Sequence, residues 1–164
     1  MSKKESTANR GMKFEHQIEE QCKLYKQEGI AYIDKLPTDW MIKRVGGKIV
    51  SGYPRAKSKL DFYGVLSNGM AIFIEAKSTK SSSLPLSNFK DHQFVYMEEI
   101  SKYTPYVYVL IQMRKYDDRV FLVEGLKILE FKNNESRKSL PLDWLESNGI
   151  EIFNMDFLNE KWNK

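Results

Sequence analysis

Apolar residues recur along this chain with two different periods. Phe14, Ile18, Cys22 and Tyr25 fall at i, i+4, i+8 and i+11, the stripe of an amphipathic helix. The pattern predicts a helix over 12–28 that Gly29 ends. A short strand is predicted at 30–34. Residues 37–59 lack the apolar content of a core segment. There Gly46-Gly47 predicts a tight turn between short strands at 40–42 and 48–50, hence a projecting β-ribbon. In 60–77, two β-branched, aromatic and aliphatic runs flank Ser67-Asn68-Gly69, which predicts a hairpin whose Gly supplies the positive φ of the loop. A Ser/Lys-rich loop follows at 78–86, then a helix at 88–102 with Asn88 and Asp91 in a capping arrangement. The run 106–113 is almost wholly apolar and predicts a buried strand. Tyr116-Asp117-Asp118 turns into a strand at 119–124. Short helices are predicted at 126–131, 141–147 and 155–162, the last two around a brief strand at 150–153. Residues 1–11 are polar and expected to be flexible. With no internal repeat and no second domain in the pattern, 1–164 reads as one domain. The element order predicts an α/β fold, a mixed sheet with helices on its faces.

The hairpin carries the candidate chemistry. Centred on Asn68, it pairs 66 with 70, 64 with 72, and 61 with 75. Asp61 and Glu75 then face each other, with Cβ atoms about 4.5–5.5 Å apart. Lys77, two residues on, shares the face of Glu75. Facing like charges destabilise a hairpin, and a divalent cation would offset them. Carboxylate oxygens suit Mg²⁺, which keeps several waters and also binds substrate phosphate. Such a metal polarises a phosphoryl oxygen and lowers the pKa of water, while a lysine stabilises the charge that develops in the transition state. These are the parts of a phosphodiester hydrolase. The plainer reading is a charged patch at the open end of an exposed hairpin. Glu15 and Glu19 lie one turn apart on the first helix. Either one approaches the metal if that helix packs beside the hairpin; otherwise both are solvated surface acids.

Composition narrows the function classes. At 164 residues and 41% hydrophobic content, the chain is long enough for one domain with a real core. No apolar run approaches the length of a membrane span, and the first residues lack a signal-peptide pattern, so a cytoplasmic protein is expected. A single cysteine, Cys22, rules out an internal disulfide and a Cys-rich zinc site. The only histidines, His16 and His92, have no partner at metal-ligand spacing. The net charge is only +4, but it is unevenly spread. Between 35 and 59 there are seven basic residues and one acidic residue, Asp39, whereas 116–164 holds seven basic and ten acidic. A basic stretch ahead of a carboxylate site suits a nucleic-acid substrate, although a solvated Lys-rich loop has the same composition.

Taken together, these residues resemble the PD-(D/E)xK nuclease superfamily, with Leu60-Asp61 in place of Pro-Asp and Glu75-Ala76-Lys77 as the second half. More narrowly, the chain resembles the RecU family of Holliday junction resolvases. That likeness is carried by Asn9-Arg10-Gly11-Met12, Asp61-Phe62-Tyr63-Gly64-Val65, Phe73-Ile74-Glu75-Ala76-Lys77 and Leu84 through Gln93, and it continues more weakly to the end. It implies a restriction-endonuclease-like core with a basic stalk at 37–59. It also implies Mg²⁺ (or Mn²⁺) held by Asp61, Glu75 and Gln93, with Lys77 acting on the transition state or the attacking water. Glu15 would hold a second metal or a water. Arg10 would contact DNA near the scissile phosphate. The stalk, with Lys43, Arg44, Lys48, Arg55 and Lys57, would enter the open centre of a four-way junction. A homodimer would deliver paired nicks, and a recombinase or branch-migration motor would be a further partner. Lys59 stands where the family usually has a threonine of the metal shell. A cation there should bind phosphate instead, leaving Ser58 or water to fill the gap. Two alternatives stay open: a duplex-cutting or DNA-end nuclease of the same fold, which needs no stalk, and a junction-binding accessory protein without catalysis.

Overall fold

The computed structural model describes residues 7–37, 40–54 and 59–158, with the backbone alone at 7–10, 40, 41, 53 and 54. A six-stranded mixed sheet organises it. In chain order the strands are β1 (Ala31–Lys35), β4 (Phe62–Leu66), β5 (Ala71–Thr79), β7 (Val107–Met113), β8 (Arg119–Glu124) and β10 (Ile150–Ile152), and they lie side by side in that same order. All neighbours are antiparallel except β5 and β7, which run parallel in the middle. A parallel pair needs a crossover. Here the chain crosses through a short strand β6 (Ser83–Pro85), a 3-10 turn at Leu86–Asn88 and helix α2 (Asp91–Ile100). Helix α3 (Gly125–Asn134) and helix α4 (Leu142–Asn148) follow β8, separated by β9 (Ser139–Pro141), which pairs with β6.

Each sheet face has its own core. Helix α1 (Thr7–Gln27) lays Phe14, Ile18, Cys22 and Tyr25 against Ile72, Ile74, Tyr108 and Leu110. The other face packs Val107, Val109 and Ile111 against α2 and α3 through Phe94, Met97 and Ile128. All seven residues of β7 are buried, as a strand covered on both faces requires. Tyr25 closes the α1 side: its hydroxyl donates to Asp156 and accepts from the Leu158 amide, both at 2.9 Å. No described helix is long and apolar enough to cross a membrane.

The hairpin register is the predicted one. Gly64 pairs with Ile72 and Phe62 with Ile74, and the three-residue loop closes with Gly69 at φ +84°. Between β1 and β4 the chain leaves the sheet as an antiparallel ribbon, β2 (Trp40–Val45) and β3 (Lys48–Pro54), which pair only with each other among the described residues. Gly46 and Gly47, at φ +57° and +78°, form its tip, the double positive φ of a type I′ turn. Residues 42–52 of the ribbon are exposed throughout.

Several predicted boundaries are corrected. The first helix begins at Thr7 rather than at residue 12, while 1–6 lie outside the described residues. The expected loop at 78–86 contains the end of β5 and all of β6. Asn88 does not cap α2: it ends the 3-10 turn, and the helix starts three residues later behind Lys90. The third helix reaches Asn134 rather than stopping at 131. Residues 154–158 form turns instead of a helix, and 159–162 lie outside the described residues.

Candidate active site

Strand alternation decides what meets what. Ile72, Ile74 and Ala76 turn toward α1, while Phe73, Glu75 and Lys77 turn toward α2. Glu75 is thereby carried into the interior and is fully buried. Asp61 sits one residue before β4, at the position the register sets opposite Glu75. Its carboxylate accepts from the Ala76 amide at 2.9 Å, and its carbonyl accepts from the Leu36 amide at 2.7 Å. The open end of the hairpin is therefore pinned by Asp61 itself.

Around Glu75 the interactions are one-sided. Its Oε1 accepts from Lys77 Nζ and, at 2.6 Å, from Gln93 Nε2. Its Oε2 is buried with no hydrogen-bond partner. Burial, then the neighbouring charge of Asp61, push the Glu75 carboxyl up to about 7, against the pull of Lys77 and Gln93. Asp61 is also raised, chiefly by burial, although the Ala76 amide, Lys77 and a hydrogen bond shared with the Glu75 carboxyl when one of the two is protonated act the other way. A buried orphan oxygen is expensive. Two hard carboxylates with one oxygen free and both pKa values raised are a donor set that fits a divalent cation. Among the described residues no group of three or more His, Cys, Asp and Glu side chains forms a ready-made metal cluster, so any cation here would rely on these two acids, amide oxygens and water.

Gln93 reaches the site, but it presents its nitrogen. Its Oε1 accepts from the Lys90 amide at 3.0 Å and from Lys77 Nζ at 3.4 Å. The first of these bonds caps α2 and fixes which end of the amide is which. The oxygen expected to serve a metal is thus engaged as a helix cap, and the amide nitrogen holds Glu75 in place. Glu15 is not gathered with the pair. Its carboxylate pairs with Lys35 at 2.8 Å, and Glu19 shares that lysine at 3.0 Å, although the Glu15 charge is still felt at Asp61. Lys59 is exposed and lies over the ring of Tyr96, 4.9 Å from its centroid.

Of the expected DNA contacts, Lys43, Arg44 and Lys48 stand exposed on the ribbon. Arg55 and Lys57 lie outside the described residues, as does the side chain of Arg10. Sequence reasoning passed over two participants. The Ala76 amide holds Asp61, and Phe89, whose ring centroid is 5.2 Å from Lys77 Nζ, screens the ammonium from water. The only available signal for Phe89 was its place four residues before Gln93.

Comparison with known proteins gives the chain a family. The family model described as RecU, Recombination protein U, matches residues 9–159. The chain belongs to the RecU family. Among curated RecU proteins, the Holliday junction resolvase RecU of Streptococcus pneumoniae (strain Hungary19A-6) is 34% identical over 160 residues, covering 93% of this chain and 80% of its own length. The Holliday junction resolvase RecU of Streptococcus uberis is 36% identical over 152 residues, covering 88% and 75%. The RecU match spans the carboxylate hairpin, the ribbon and α2 together.

Proposed function

We propose that this chain is a Mg²⁺-dependent endonuclease that resolves four-way DNA junctions by paired, symmetric nicks. One observation carries the reading: the buried, unpartnered Oε2 of Glu75 beside Asp61 and Lys77. Lys77 offers one positive charge to two carboxyls withdrawn from water, and a bound divalent cation would compensate both and let both ionise. Asp61 and Glu75 would hold Mg²⁺, or Mn²⁺ in its place, and a rotation of Gln93 or an intervening water would complete the set. The bound ion supplies polarisation of a phosphoryl oxygen and an acidified water.

The rest falls to the chain's own groups. Lys77, only 14% exposed and tied to Glu75, would face the charge that builds on the phosphoryl oxygens, where low dielectric strengthens its effect. Phe89 and Phe94 exclude water from one side. The Ala76 amide fixes Asp61 while the ion binds. Lys43, Arg44 and Lys48 on the ribbon, with Arg10, Arg55, Lys57 and Lys59, would contact phosphates and read junction shape rather than bases. Two matched nicks require two sites, which a two-fold homodimer supplies. The four-way junction as substrate is supported by the names of the relatives.

The test is cleavage of an end-labelled four-way junction beside its matched duplex arms, across ten-fold steps of Mg²⁺ and with EDTA, for wild type and Glu75→Ala. Symmetric nicks confined to the junction, abolished by EDTA and by the substitution, are expected. Deleting the ribbon tip, residues 43–51, should abolish junction selectivity. Equal cutting of the duplex arms would replace the resolvase with a duplex nuclease. Tight junction binding without any nick in Mg²⁺ or Mn²⁺ would leave only a binding protein.

A further inference from the structure

Two residues beyond Lys77, the end of β5 opens on a second recess. This cavity of about 270 Å³ is walled by Gly11, Ser78, Lys80, Ser81, Asn88 and Arg114. Among the described residues it has two cations, hydroxyls and an amide in its walls, and no carboxylate. Its floor is built. The Ser78 hydroxyl donates to Gln112 Oε1 across the parallel pair at 2.9 Å. The Arg114 amide donates to the Thr79 carbonyl at 2.8 Å, and the Ser81 amide to Thr79 Oγ1 at 3.1 Å. Among the described residues Arg114 has a loose ion pair with Asp118, 3.6 Å away and 62% exposed. An exposed pair of that kind is weak and readily exchanged, and a guanidinium fork matches phosphate better than a single carboxylate oxygen at that distance.

The recess is close to the chemistry. Ser78 and Thr79 lie within about 7 Å of Lys77 along the strand, and phosphates follow one another about every 3.4 Å of duplex axis on each strand. A strand that has its scissile phosphate at Lys77 and runs toward the end of β5 brings a neighbouring phosphate to these walls. We propose that the recess is a phosphate-binding subsite that grips the cleaved DNA strand one or two phosphates from the scissile position, with Arg114 and Lys80 as its cations and Ser81 and Asn88 as neutral donors. This rests on the nuclease reading above.

The experiment is fluorescence anisotropy of a labelled four-way junction with the full chain, in Ca²⁺ in place of Mg²⁺, over a KCl series. Four proteins are compared: wild type, Arg114→Gln/Lys80→Gln, the charge-preserving Arg114→Lys/Lys80→Arg, and Lys102→Gln. Lys102 lies near the start of β5, at the opposite end of the sheet, where Thr104 bonds the Ala71 carbonyl. The neutral double variant should lower the magnitude of the log K versus log[KCl] slope by about 1–2 and weaken binding about ten-fold. The charge-preserving variant should keep the wild-type slope and lose clearly less affinity than the neutral one, and Lys102→Gln should stay near wild type. Wild-type binding with an unchanged slope and affinity in the neutral variant overturns the subsite and leaves the nuclease reading intact. Equal loss in the charge-preserving variant also overturns it, since the effect is then not one of charge. A wild type that does not bind the junction sinks the junction-nuclease reading and the subsite together.

Discussion

Substituting Glu75 by Gln in metal-free protein removes a charge while keeping the shape and the acceptor that faces Lys77 and Gln93. Folding lifts the Glu75 carboxyl from its ordinary value of 4.5 to about 7. The folded chain therefore keeps a proton that the unfolded chain has released. Stability from this group is fully present below about pH 4.5 and is lost as pH rises through about 7. A rise from 4.5 to about 7 corresponds to about 3 kcal/mol, and it belongs to the coupled pair because removing the Glu75 charge also relieves Asp61. Urea unfolding in EDTA, followed by tryptophan fluorescence, to which Trp144 packed against Phe131 contributes, gives the stability of both proteins from pH 4.5 to 8. Subtracting one curve from the other cancels the titrations that do not couple to Glu75 and leaves that of the Glu75–Asp61 pair. The wild type should lose about 3 kcal/mol relative to Glu75→Gln across that window, and Mg²⁺ should restore stability to the wild type alone. A difference that stays flat with pH would mean that Glu75 is neither buried nor strained as described, and the argument for a metal would fall with it.

Three further outcomes follow from single contacts. Lys77→Met should lower junction cleavage by about 10²–10³-fold, the usual cost of losing one electrostatic group aimed at a transition state; single-turnover rates within three-fold of wild type would remove Lys77 from the chemistry. Gly64→Ala should destabilise the protein by about 1–3 kcal/mol, because a Cβ there would meet the Tyr32 carbonyl oxygen at 2.1 Å and Ile33 Cα at 2.7 Å; an unchanged midpoint of thermal unfolding would contradict that close approach. Tyr25→Phe leaves the Leu158 amide without its acceptor and should cost about 1–3 kcal/mol, measured by urea unfolding, with loss of hydrogen-exchange protection confined to residues 154–158.

What could be read from the chain depended on how local its cause was. The register that opposes Asp61 to Glu75 was legible because a period of two and one Gly-containing loop fix it. The buried strand at 107–113 announced itself by composition. Strands β6 and β9 did not: both are Ser-Leu-Pro, too short for any period, and each exists only because the other lies across from it. The start of α2 was misplaced by three residues because Asn88 carries the usual capping chemistry, yet the cap comes from Gln93 folding back on the Lys90 amide. That same bond explains why Gln93 could be assigned to the site but not oriented there. The capture of Glu15 by Lys35 depends on α1 crossing β1, which no local pattern encodes.

The ribbon has a consequence for how this enzyme family can vary. Its two ends leave the sheet between β1 and β4, neighbouring antiparallel strands held together at the root by the Leu36 amide on the Asp61 carbonyl. Thermodynamically the ribbon is an overgrown hairpin loop with its closure already secured by the sheet. Doubling such a loop adds only about 0.6 kcal/mol of closure entropy, and a self-paired ribbon offsets part of that with its own ladder. Strand β5 has no such freedom, because a one-residue insertion would turn Glu75 into the α1 core and Ile74 into the site. Lineages can therefore lengthen, shorten or recharge the ribbon at little thermodynamic cost, while β5 from Glu75 to Lys77 stays closed to insertions.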